Sequence, residues 1–98
     1  MSDYALEIDT RAEREARSAF LWYLERDEGV AVRFEAVFRQ ALAKLAASPL
    51  RFPAHIHGTR RALVGRFPYL VVFAVRGSTV RVLAVAHMKQ RPGYWRDR

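Results

Sequence analysis

Tyr69-Leu70-Val71-Val72-Phe73-Ala74-Val75-Arg76-Gly77-Ser78-Thr79-Val80-Arg81-Val82-Leu83-Ala84-Val85-Ala86 is the stretch whose reading decides the fold. Two apolar runs rich in β-branched residues flank Arg76-Gly77-Ser78, where the glycine supplies the positive φ of a tight turn, so the stretch predicts a β-hairpin. Its strands, Tyr69 to Val75 and Thr79 to Met88, are apolar at successive positions instead of alternating. That pattern places both at the centre of a sheet covered by helices on one face and open to a partner on the other. Phe67-Pro68 separates the hairpin from a shorter strand, Ala62 to Val64. Upstream, Arg51 to Arg60 holds Pro53, Gly58 and two histidines and reads as an irregular, mobile connection.

Before that connection the period changes. Val30, Phe34, Val37, Phe38, Ala41, Leu42 and Leu45 step by three and four residues, the signature of an amphipathic helix. Ser48-Pro49 ends it, because the residue before a proline is pushed out of helical geometry. Ala16, Ala19, Phe20, Tyr23 and Leu24 form the stripe of an earlier helix, with Trp22 off the stripe. Asp27-Glu28-Gly29 breaks the two apart into a helical hairpin. Thr10 and Glu13 have capping-box spacing and predict its start. Tyr4 to Asp9 alternates with Tyr4, Leu6 and Ile8 on one side, a strand with one buried face. The order is β-α-α-β-β-β, an α/β chain of the α+β type, read as a single domain over residues 1–98 with a basic tail, 89–98.

Composition narrows the function classes. The 98 residues are 51% hydrophobic and 28% charged, enough apolar material for one core. The absence of cysteine excludes disulfides, thiolate zinc sites and a cysteine nucleophile. No apolar run is long enough to span a bilayer and Met1 to Asp9 is not a secretory signal, so a cytoplasmic protein without a membrane partner is expected. The net charge of +7 is unevenly spread. Residues 1–50 hold seven Lys/Arg against nine Asp/Glu, whereas residues 51–98 hold ten against Asp97 alone. A one-sided positive field of this kind attracts a polyanion: nucleic acid, ribosome or an acidic protein segment.

The element order, Gly65-Arg66-Phe67-Pro68-Tyr69-Leu70-Val71-Val72-Phe73, the strand ending in Ala86-His87, and the tail Arg91-Pro92-Gly93-Tyr94-Trp95 together resemble the RelE/ParE superfamily, the toxins of type II toxin–antitoxin modules. The resemblance spans Tyr4 to Trp95. It implies a mostly antiparallel four-stranded sheet with the helical hairpin on one face. It also implies a cognate antitoxin whose acidic segment wraps the basic half in a hetero-oligomer, with roles in growth inhibition and plasmid stabilisation. Two targets follow from it. ParE-like members inhibit DNA gyrase; RelE-like members cut mRNA on the ribosome without metal, through the substrate's own 2′-OH. The RNase pattern has an arginine before a Gly-Tyr-Arg at a strand start, and here Arg66 precedes Phe67-Pro68-Tyr69-Leu70, which lacks the second arginine. Phe-Pro-Tyr and His87 favour the ParE branch.

Whether the chain is an enzyme stays open on these grounds. If RNA is cut, the chemistry needs cations around the scissile phosphate and a proton donor and acceptor, and Arg66, Lys89, Arg91 and Tyr94 are the candidates. Arg61, Arg81 and Trp95 are candidate target contacts. Trp95 and Tyr94 can stack on a base or fold back over the sheet, and Arg81 can face a target or pair with an acidic residue on a helix. A metal at His55, His57 and His87 is disfavoured because no carboxylate accompanies them, and no cofactor is expected. A non-toxic basic nucleic-acid-binding module is the alternative of a different class.

Overall fold

The computed structural model describes residues 4–98. In chain order these form β1 (Ala5–Ile8), α1 (Thr10–Leu24), α2 (Glu28–Ala47), β2 (Ala54–His55), β3 (Thr59–Leu63), β4 (Tyr69–Arg76) and β5 (Thr79–His87), with single 3-10 turns at Pro49–Arg51 and Ile56–Gly58. The sheet is five-stranded, ordered β1-β5-β4-β3-β2. Only β1 runs parallel to its neighbour; the other pairings are antiparallel. The element order and the antiparallel majority agree with expectation, and the strand count does not. The connection at 51–60 is more ordered than its proline and glycine suggest. Ala54 and His55 pair with Arg60 and Thr59 as a fifth strand. Buried Thr59 also donates its hydroxyl to the Ile56 carbonyl at 2.7 Å, which closes the intervening turn.

The helical hairpin is set by its caps. Asp9, not Thr10, caps α1: its carboxylate accepts from the Arg11 N–H at 2.8 Å, so Thr10 is already the first helical residue. A carboxylate is at least as good an N-cap as a threonine hydroxyl, and it favours the positive end of the helix dipole. Asp27 repeats the device for α2, accepting from Val30 N–H at 3.2 Å. The hairpin lies on one face of the sheet. Buried Ala12, Ala19 and Ala31 bring backbone close to backbone, and Phe34 and Leu45 fill the space above Val71, Phe73, Val80 and Val82. Phe34 sits in an aromatic group with Phe67 (5.2 Å), Tyr69 (5.6 Å) and Phe38 (6.1 Å between centroids).

One irregularity in β5 organises the opposite face. Val82 stands across from Phe73 and Ala84 across from Val72, so Leu83 is an extra residue, a β-bulge. Val80 and Val82 point into the helix-side core. Beyond the bulge, Leu83 and Ala84 join Val72 in a second buried group on the other face, and Val85 returns to the first.

Candidate functional site

What covers that second face is the C-terminal tail. Gly93 adopts a positive φ of 85°, and a Cβ there would stand 2.9 Å from His57 Nε2, so only a glycine lets the chain pass at this point. Trp95 then packs on Val72, Leu83 and Ala84 and is 1% exposed. His55 and His57 flank its ring at 5.8 and 6.0 Å between centroids. Burial, then the neighbouring Arg61 and His57, lowers the His55 pKa, which favours its neutral imidazole beside the indole. Trp95 therefore offers no face to a nucleobase. A tryptophan large enough to close a sheet face is used here as core.

The tail is fastened by Glu15, a residue that carried no signal in the sequence beyond lying on α1. Its Oε1 accepts from Val85 N–H at 3.0 Å and from Arg98 at 2.9 Å; its Oε2 accepts from the Tyr94 hydroxyl at 2.8 Å and from Arg98 at 3.1 Å. Arg98 also donates to the Leu83 carbonyl at 3.1 Å. The bulge explains this convergence. β1 pairs with β5 only as far as Val82, so the Leu83 carbonyl and the Val85 N–H face no strand and are satisfied by the Glu15–Arg98 pair instead. Burial and the hydrogen bond to Glu15 push the Tyr94 phenol well above its ordinary range.

The remaining candidates divide between the two ends of the sheet. Arg66 lies exposed in the turn between β3 and β4, and Lys89 and Arg91 lie exposed just after β5. The Met88 N–H to Pro68 carbonyl bond, 2.9 Å, and the edge-on contact of Tyr69 with His87, 5.1 Å, bring those two segments to one end. His87 Nδ1 accepts from Lys89 N–H at 3.0 Å, and Gln90 Oε1 accepts from His87 N–H at 2.8 Å, so the strand end is locally tied. Tyr94 is bonded instead to Glu15, at 2.8 Å. Arg81 is at the other end, bonded to Asp9 at 2.9 Å and 3.5 Å from Glu7, so its acidic partners are the α1 cap and β1 instead of a position within the helix. Arg11 and Arg81 together hold the Asp9 carboxyl far below the usual carboxylate range, Arg11 contributing most.

Arg61 is exposed on β3 and lines a groove of about 440 Å³ between β3 and α2, with Val37, Ala41, Phe52 and Leu63 as its apolar part. A second groove, about 430 Å³, runs between the helices over Phe20, Phe38 and Leu42. Trp22, off the α1 stripe as its spacing implied, is half exposed, and Arg26 stacks on its ring at 3.6 Å. No helix among the described residues is long and apolar enough to cross a membrane.

Comparison with known proteins adds the family. The model described as ParE toxin of type II toxin-antitoxin system, parDE, matches residues 6–92. Among solved structures, one from the chromosomal ParDE toxin–antitoxin system of P. aeruginosa superimposes with a TM-score of 0.76 at 16% identity, over 87% of this chain and 96% of that one. One from the RelBE2 toxin–antitoxin complex of Mycobacterium tuberculosis gives 0.58 at 25% identity, over 89% and 93%. No curated protein matches.

Proposed function

The chain belongs to the ParE toxin family of type II toxin–antitoxin systems, and from that premise we propose that it arrests growth by binding DNA gyrase, without cutting RNA, and that a cognate antitoxin neutralises it. The observation that carries the choice of target is the state of Tyr94. A ribonuclease acting through the 2′-OH needs a proton donor or acceptor of matched pKa beside its cations. Tyr94, the one uncharged donor among the sequence candidates, has its hydroxyl donated to Glu15 at 2.8 Å and its pKa raised by burial. Leu70 supports the same reading: where the RNase pattern has an arginine, this side chain packs against the tail cluster. Arg66, Lys89 and Arg91 then serve as a cationic binding surface.

Antitoxin binding is supported by the arrangement of charge and apolar grooves. The half of the chain from residue 51 carries ten Lys/Arg and one acidic residue. The grooves beside α2 are apolar and rimmed by Lys44 and Arg61 in one case and by Arg17, Arg39 and Glu35 in the other. An amphipathic, acidic segment matches both properties.

Pulse-labelling of nascent DNA and protein in the first minutes after inducing the chain alone tests the target. DNA synthesis should fail first, and Tyr94→Phe should arrest growth as the parent does. Protein synthesis failing first, with arrest abolished in Tyr94→Phe, refutes the gyrase reading and restores the ribonuclease.

A further inference from the structure

Beneath the tail, at the end of the sheet away from Arg66 and Lys89, lies a recess of about 120 Å³ lined by Arg76 from the end of β4, Arg81 from β5, and Arg96 and Arg98 from the tail, with Trp95 and His57 beside them. We propose that this recess is a binding site for a phosphate group. The inference goes beyond the gyrase reading and does not depend on it.

The four guanidiniums come from three separate elements, and two are fixed in place before any ligand arrives. Arg81 is held by Asp9 at 2.9 Å, and Arg98 by Glu15 at 2.9 Å and by the Leu83 carbonyl. Asp9 is 4% and Glu15 21% exposed, so both arginines are anchored on largely buried carboxylates. Arg76 and Arg96 are different: both are exposed and, among the described residues, neither has an ion pair or a side-chain hydrogen bond. The carboxylates that hold the group, Glu7, Asp9 and Glu15, balance Arg81, Arg98 and Arg11, which shares Asp9. The lining itself holds no carboxylate, and Arg76 and Arg96 make its mouth positive, with Asp97 the neighbouring acidic residue in the tail.

The chemistry of the lining selects the anion. A recess of this volume has room for about four waters, which suits one phosphate group and not a side chain with its backbone. The forks of Arg76 and Arg96, unpaired among the described residues, match phosphate oxygens in pairs of parallel hydrogen bonds, and Arg81 and Arg98, whose terminal nitrogens are engaged by carboxylates, form the fixed wall behind them. The apolar slots that a peptide's side chains would need lie elsewhere, beside α2. The phosphate can belong to a nucleic-acid backbone or be free in solution; the site chemistry is the same.

The test titrates the full chain with inorganic phosphate and, separately, with a twelve-nucleotide thymidine strand lacking terminal phosphates. Trp95 fluorescence is the readout, in a Trp22→Phe background so that the indole beside the recess is the only one seen. Arg76→Gln with Arg96→Gln should weaken binding at least tenfold and leave the thermal midpoint unchanged, because neither side chain holds the fold. Lys89→Gln with Arg91→Gln removes the same charge at the other end and should change binding less than twofold. Loss of binding confined to the first pair, for both probes, identifies a backbone-phosphate site, and for inorganic phosphate alone a small-anion site; either supports the proposal. Equal weakening by both pairs would show only the diffuse field of a basic protein and overturn it. Failure of both probes, with an acidic peptide bound through Arg76 and Arg96, would overturn it as well.

Discussion

Replacing Glu15 by alanine should release the tail and cost about 3 kcal/mol. The magnitude follows from what the carboxylate holds: the Val85 N–H, the Tyr94 hydroxyl and two nitrogens of Arg98. The two neutral donors are worth about 1 kcal/mol each, and the charged, two-pronged bond to Arg98 is worth roughly 1.5–3 in a dry setting. The side chains of Arg98 and Glu15 are 13% and 21% exposed, so water recovers part of the charged term and the lower end applies. For a domain of this size a loss of about 3 kcal/mol lowers the thermal midpoint by roughly 12–24 °C. Glu15→Gln should lose about half as much, since its amide oxygen can keep one neutral donor while its NH2 opposes Arg98. A double-mutant cycle with Arg98→Ala isolates the pair, with a coupling above about 1 kcal/mol expected. In a Trp22→Phe background, Trp95 emission should shift to the red in Glu15→Ala as the indole meets water. A loss below about 1 kcal/mol, no coupling to Arg98 and an unshifted spectrum would refute the claim that Glu15 fastens the tail.

Two other perturbations probe the frame. Gly65 has a φ of 53° and a Cβ there would lie 2.6 Å from Val37 Cγ1, whereas Gly77, with a φ of 57°, has open space around it. Gly77→Ala should cost only the left-handed backbone penalty, about 1–2 kcal/mol, and Gly65→Ala roughly 1–3 kcal/mol more from overpacking, part of it recovered by Val37→Ala; equal losses in chemical denaturation would contradict the close approach of α2. The Asp9 carboxyl is depressed in the folded state, so its contribution is complete above its ordinary value of 3.8 and disappears as pH falls towards the folded value. The stability gap between the parent and Asp9→Asn should therefore shrink steadily below about pH 4, and a gap that stays constant down to pH 2 would argue against the Arg11–Asp9–Arg81 arrangement.

The helices and the two long strands were legible because each carries a periodic pattern that one set of contacts enforces. Phe34, Val37, Ala41 and Leu45 can share one face only in a helix, and the continuous run from Tyr69 to Val75 makes sense only when both faces are covered. The elements that escaped are those whose cause lies in another segment. Ala54-His55 has no strand pattern of its own; it is a strand because Thr59 and Arg60 are its partners. Thr10 and Asp9 are both good caps, and the choice falls to Asp9 because Arg81, far along the chain, also reaches it. Trp95 could be read with equal justice as a base-stacking ring or as core, since the tail has no periodicity; the bulge at Leu83, invisible in a run of valines and alanines, creates the apolar patch that takes it.

That bulge also determines which surfaces are left for partners. By turning Leu83 and Ala84 to the face away from the helices, it makes that face too apolar to stand open, and the tail closes it. Closing it costs the tail its mobility and commits Tyr94, Trp95 and Arg98 to structure. Beyond the clasp, exposed cations flank the sheet: Arg66, Lys89 and Arg91 at one end, Arg76 and Arg96 at the other. The middle of the sheet face is filled by the chain's own tail, so on the proposed reading the target is met by binding at the ends of the sheet. Mutations at the two ends should therefore separate target recognition from folding, whereas mutations under the tail should affect both together.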